Sequence, residues 1–140
     1  GAAVVEDRHA PDLADRLAAL APGGYDRIIE VDFGANAGMD IALLAPNGII
    51  AAYSSTSCPE PRLAYYALQS KGGTLRTIQG FNLPAEARAR AQDDIARMAD
   101  AGRLRVAVGA VLPLARIAEA HRLVEAGTVI GNVVVAPSGG

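Results

Sequence analysis

Short apolar runs alternate along this chain with longer stretches of helical periodicity. Ala2 to Glu6 (AAVVE), Arg27 to Val31 (RIIEV), Ile49 to Tyr53 (IIAAY), Thr74 to Gln79 (TLRTIQ), Leu104 to Val111 and Val133 to Ala136 each read as a strand. Pro11 opens a helix in which Leu13, Leu17 and Leu20 share one face, and Pro22, Gly23 and Gly24 end it. A second helix is predicted from about Asn36 to Leu44, stopped by Ala45-Pro46-Asn47-Gly48, and a third from Arg62 to Ser70, released by Lys71-Gly72-Gly73. The fourth runs from Pro84 to about Ala101, with Ala91, Ile95 and Met98 facing the core and Arg88, Arg90, Asp93 and Asp94 facing water. The fifth, Leu114 to Ala126, places Ile117, Ala120, His121 and Val124 on one stripe. This alternation predicts an α/β layer fold with a mostly parallel sheet and flanking helices. The strand at Thr74 to Gln79 is the most polar, so it is expected at a sheet edge, where a second copy of the chain could pair with it.

At 140 residues the chain fits a single domain with a real core. No apolar run approaches the ~20 residues of a membrane helix, so a soluble, cytoplasmic protein with no membrane partner is expected. Thirteen Lys and Arg against 15 Asp and Glu give no charge excess that would draw nucleic acid. The one cysteine, Cys58, excludes an internal disulfide, and His9 and His121 stand too far apart to suggest metal-ligand spacing. Gly1 follows no initiator Met and no signal pattern precedes the fold, as expected of a chain cut from something longer.

No GxSxG, HExxH, P-loop or glycine-rich dinucleotide turn is present, so candidate chemistry is read from position. Ligands of open α/β sheets lie outside the carboxyl ends of the strands. After Arg27 to Val31 come Gly34 and Asn36; Asn36 is read as a helix cap, worth ~1 kcal/mol, and also as an amide able to bond a ribose or carboxamide. At and after the end of the third strand come Tyr53, Ser54, Ser55 and Thr56, at the head of a loop (Ser54 to Pro61) too long for a minimal βα connection. Their hydroxyls are either a solvated loop or donors to a nicotinamide edge or phosphate. At the end of the fourth strand come Ile78, Gln79 and Gly80, where glycine admits a close ligand or simply a turn. Cys58 is read as a spectator, His121 as a core or boundary residue, His9 as solvated, and Tyr65 and Tyr66 as packing or subunit contacts.

Three segments in order, YDRIIEVDFGANAGMDIALLAPNGIIAAYSS, LQSKGGTLRTIQGF and AEAHRLVEAGTVIGNVVV, resemble the medium-chain dehydrogenase/reductases, in their zinc-independent, zeta-crystallin-like quinone oxidoreductase branch. The resemblance implies the carboxyl-terminal part of a Rossmann-type, doubly wound NAD(P)-binding domain, plus the return strand toward a catalytic domain. The chain would enter that sheet, ordered 3-2-1-4-5-6, at strand three, leaving Ala2 to Glu6 without neighbours. It further implies NADP(H) as cofactor and hydride transfer to a quinone or other activated enone or carbonyl, with no metal or catalytic residue in this chain; a homodimer through Thr74 to Gln79 is expected from the polar edge strand. Cofactor contacts would fall on Asn36, Tyr53, Ser54, Ser55, Thr56, Ile78, Gln79, Gly80 and Asn132. Ser54 stands where the family usually has glycine, and Asn132 where it commonly has lysine. Two other readings stay open: a zinc-dependent alcohol dehydrogenase with its metal ligands upstream, and a non-catalytic dimerisation or regulatory module.

Overall fold

The computed structural model describes residues 2–137, so Gly1 lies outside it. The fold is mixed α/β with parallel sheets and flanking helices, as expected of a Rossmann-like chain. It divides between Leu83 and Pro84 into two compact units.

In the first unit, α1 (Leu13–Leu20) leads to β1 (Tyr25–Glu30), α2 (Phe33–Leu43), β2 (Leu44–Ala52), α3 (Tyr65–Ser70) and β3 (Thr74–Thr77). The three strands form one parallel sheet in the order β1-β2-β3, so β3 occupies the edge expected for it. Ile50 sits in register between Ile28 and Leu75 at the centre of this sheet. The run IIAA carries no polar side chain, as suits a middle strand. Phe33, Ala37 and Ile41 recur at fourfold spacing on α2 and pack with Leu44, Ile50, Ala52 and Leu68 into the core. Burying a side chain such as Ile50 contributes about 1.5–3 kcal/mol.

Several boundaries differ from expectation. Ala2 to Glu6 forms no strand; no strand among the described residues pairs with it, and an extended segment without a partner has unfilled backbone hydrogen bonds to satisfy in water. It is tied instead by the Glu6–Arg16 ion pair. The second helix starts three residues early, at Phe33, so Asn36 lies inside its first turns and Asp32 takes the capping position, without a side-chain cap bond. The third helix begins only at Tyr65. The predicted stop at Ala45 to Gly48 lies within β2 as an irregularity: Asn47 adopts φ 59°, and its N–H donates to the Lys71 carbonyl at 2.7 Å.

The second unit holds α4 (Ala85–Asp100), β4 (Val108–Pro113), a 3-10 turn (Leu114–Arg116), α5 (Ile117–Ala126) and β5 (Asn132–Ala136), with β4 and β5 paired in parallel. The strand expected from Leu104 begins four residues later. Gly127 ends α5 at φ 61°, a left-handed cap that glycine adopts without a Cβ clash. Among the described residues only Leu112 and Ala120 are buried here, and α4 buries nothing: Ile95 and Met98, expected in the core, are 54% and 40% exposed. His121 and Val124, expected on a covered stripe, are exposed as well. A two-stranded sheet offers little area to cover, and α5 is the helix that packs on it. No helix among the described residues is long and apolar enough to cross a membrane.

Candidate functional site

Because β1, β2 and β3 run parallel, their carboxyl ends share one edge of the sheet, and the first unit's candidate residues follow those ends. The chain leaving β1 and the chain leaving β2 are stitched together there. Tyr53 N–H donates to the Glu30 carbonyl and Phe33 N–H to the Ser54 carbonyl, each at 3.0 Å. Gly34 N–H donates to Ser55 Oγ at 2.9 Å, and that hydroxyl donates onward to the Cys58 carbonyl at 2.5 Å. Ser57 N–H reaches Asp32 Oδ1 at 3.2 Å. The long loop therefore folds over the start of α2. Glycine is required at position 34, since a Cβ there would stand 2.6 Å from Cys58 Cβ and 2.7 Å from Ser55 Oγ.

These contacts divide the expected ligand groups. Ser55 is committed to the loop and holds it closed. Ser54 Oγ and Thr56 Oγ1 bond each other at 2.9 Å near the surface, and Tyr53 is 56% exposed beside them. Ile78 N–H extends the pairing with β2 through the Ala52 carbonyl at 2.8 Å. Gln79 turns its side-chain oxygen back to Phe81 N–H at 3.4 Å, which starts a 3-10 turn at Gly80–Asn82. An added Cβ at Gly80 would meet nothing within 4 Å, so the space beside it is open. Asn132 belongs to the second unit, where its backbone and side-chain N–H groups both donate to the Ala107 carbonyl at 2.8 and 3.0 Å.

Two residues outside the expected set stand out. Glu30 closes β1 and Asp40 lies on α2, and both are buried, at 6% and 4% exposure. Glu30 Oε1 accepts from Asp32 N–H and, at 3.1 Å, from the Asn36 amide nitrogen. Burial pushes the Asp40 carboxyl from its ordinary 3.8 up to about 7, and the adjacent Glu30 charge and a hydrogen bond between the two side chains add to the rise. The sequence did carry a signal: an acid ends the apolar strand RIIE, and another interrupts the apolar run of α2, MDIALL. Among the described residues no three His, Cys, Asp or Glu side chains gather as a metal ion would need, so the residues present do not fit a zinc site.

Comparison with known proteins agrees with this architecture. A mycobacterial quinone oxidoreductase superposes with a TM-score of 0.78 at 28% identity, over 98% of this chain and 44% of its own. A mycobacterial protein solved in complex with NADPH gives 0.78 at 26% identity, over 98% of this chain and 43% of its own. An NAD-dependent alcohol dehydrogenase gives 0.77 at 26% identity, over 94% and 37%. The chain thus spans less than half the length of these structures. Among curated proteins, none matches it. The family model described as zinc-binding dehydrogenase matches residues 1–135, nearly the whole length, and the chain belongs to that family.

Proposed function

We propose that this chain is the nucleotide-holding carboxyl-terminal part of a cytoplasmic oxidoreductase that moves hydride from NADPH to a quinone or another activated enone or carbonyl. The observation that carries the reading is the gathering of Asn36, Tyr53, Ser54, Ser55 and Thr56 where the parallel strands end, the place where open α/β sheets take ligands. The partly exposed hydroxyls of Ser54 and Thr56, the Asn36 amide and the open space beside Gly80 fit a nucleotide that must be both hydrogen-bonded and closely approached.

In this reading Asn36, Tyr53 to Thr56 and Ile78 to Gly80 hold the cofactor. The nicotinamide supplies the hydride chemistry when bound. The chain's own residues position it. Ser55, Asp32 and Gly34 pin the loop, so that Ser54 and Thr56 are presented from a fixed backbone rather than a wandering one. The edge strand β3 pairs with a second copy to make a homodimer, its polar Thr74, Arg76 and Thr77 being exposed.

The likeness to an alcohol dehydrogenase favours one rival, oxidation of an alcohol with NAD. Titrating the chain with NADPH, read by nicotinamide fluorescence, and assaying it joined to the family's upstream residues, with quinones or with alcohols, separates the two. Quinone-dependent loss of NADPH absorbance supports our reading. Alcohol-dependent NADH formation replaces it, and no turnover with either leaves a non-catalytic dimerisation module. Sedimentation as a monomer at micromolar concentration removes the dimer.

A further inference from the structure

Asp40 Oδ2 is buried with no hydrogen-bond partner, and the adjacent Glu30 carboxyl is buried as well. Two ionised carboxylates only accept, so they cannot bond to each other, and burying both charges would be costly. One proton resolves both facts: Asp40 is a carboxylic acid whose O–H donates to Glu30. Glu30, as the carboxylate, is then left to accept from Asp32 N–H and from Asn36. An acceptor-only carboxylate also fixes which way the Asn36 amide faces. Its nitrogen turns to Glu30, and its oxygen, on a half-buried side chain, carries no hydrogen bond within the described residues.

We propose that Asp40 is a positioning residue: through Glu30 it holds the Asn36 amide with its oxygen toward the ligand, reserving that point for a hydrogen-bond donor, a sugar hydroxyl or a carboxamide NH2, and turning away phosphate. This rests on the nucleotide-holding reading above. The negative Glu30 and Asp32 side chains beside Asn36 act in the same direction, since an ionised phosphate brings only acceptors and negative charge.

The neighbouring elements offer Asp40 no other ionisable partner. α2 packs against α1, β1, β2 and α3. On α1, Asp15 and Arg16 are exposed, and Arg16 pairs with Glu6. On β1, Asp26 and Arg27 are exposed and the Tyr25 hydroxyl donates to the Leu17 carbonyl. β2 has no ionisable side chain, and the two tyrosines of α3 are exposed. Lys71, just past α3, donates to the Ala42 and Leu44 carbonyls at 2.7 and 2.6 Å. Asp32, ahead of α2, accepts from Ser57 N–H.

Loss of the Asp40 proton sets two carboxylates against each other and releases the hold on Asn36. NADPH affinity should therefore fall as pH rises through about 7, by up to about tenfold per pH unit while only the protonated form binds. Asp40→Asn keeps a permanent donor in place of the O–H, so its affinity should match the wild type at about pH 6 and show no such fall above it. A second readout is independent of any ligand: the infrared carbonyl band of a protonated carboxyl should be present at about pH 6, vanish as pH passes about 7, and be missing from Asp40→Asn. Absence of that band overturns the proposal. A band that titrates beside a wild-type affinity that does not change with pH, or that changes equally in Asp40→Asn, overturns the positioning role. A titrating band with no NADPH binding at any pH defeats the cofactor reading, and the ligand role with it, while the shared proton is confirmed.

Discussion

The two halves of this chain are written in the same alternation of apolar strand and amphipathic helix, yet they bury very different amounts. In the first unit the middle strand β2 has partners on both sides and α2 lies on it, so Leu44 and Ile50 are 1% and 0% exposed. In the second, two strands and α5 bury Leu112 and Ala120, and no residue of α4 is buried. An apolar stripe specifies which side of a helix would be buried, but burial needs a surface opposite it. The site follows the same division. Its hydrogen bonds run between segments that leave β1 and β2, which the first unit's core holds in place, whereas Asn132 bonds only within its own unit.

Substitutions can break this contrast. The largest effect is expected from Ile50→Ala, which empties a fully buried position and should cost about 2–5 kcal/mol in denaturant unfolding. Loss of under about 1 kcal/mol would show that the first unit is not the more tightly packed one. Next comes pH. The folded state holds the Asp40 proton more tightly than the unfolded chain does, so between its ordinary 3.8 and about 7 the folded state binds more protons and stability falls as pH rises, levelling above. The fall attributable to Asp40 is up to about 4 kcal/mol. Asp40→Asn should abolish it and melt higher than the wild type at about pH 8; equal pH profiles for the two proteins would contradict the assignment. Gly34→Ala should cost about 1–3 kcal/mol, because the new methyl collides with Cys58 and Ser55 and pushes the loop off α2. It should also weaken NADPH binding more than Ile50→Ala does under conditions where both proteins are folded. Smallest is Ile95→Ala on α4, expected within about 0.5 kcal/mol in the unfolding of this chain. A loss above about 2 kcal/mol would mean that α4 has a partner surface.

Much of the first unit was legible from the sequence. The run IIAA between a proline-glycine turn and a polar loop marked a strand, and the more polar Thr74 to Gln79 marked the edge, because a strand's neighbours set which of its faces can be polar. The residues after each strand of the first unit lie along one edge of the sheet, since parallel strands bring their carboxyl ends together. What each one does was not legible. Ser55 reads like Ser54 and Thr56, and only the fold turns it inward onto Gly34 and Cys58. Asn36 reads as a cap and sits instead one turn into the helix, its amide on Glu30. Ala2 to Glu6 has the composition of a strand but no strand to pair with, and composition does not report a partner.

Periodicity and turn residues, which act within a few positions, by themselves determined the α/β class, the parallel strands and the approximate element limits. The tertiary structure alone decided which stripes are buried, which hydroxyl closes the loop, and that Glu30 and Asp40 meet. Those outcomes depend on surfaces and side chains from separate elements arriving at one place, where low dielectric makes a single proton the difference between an attraction and a repulsion.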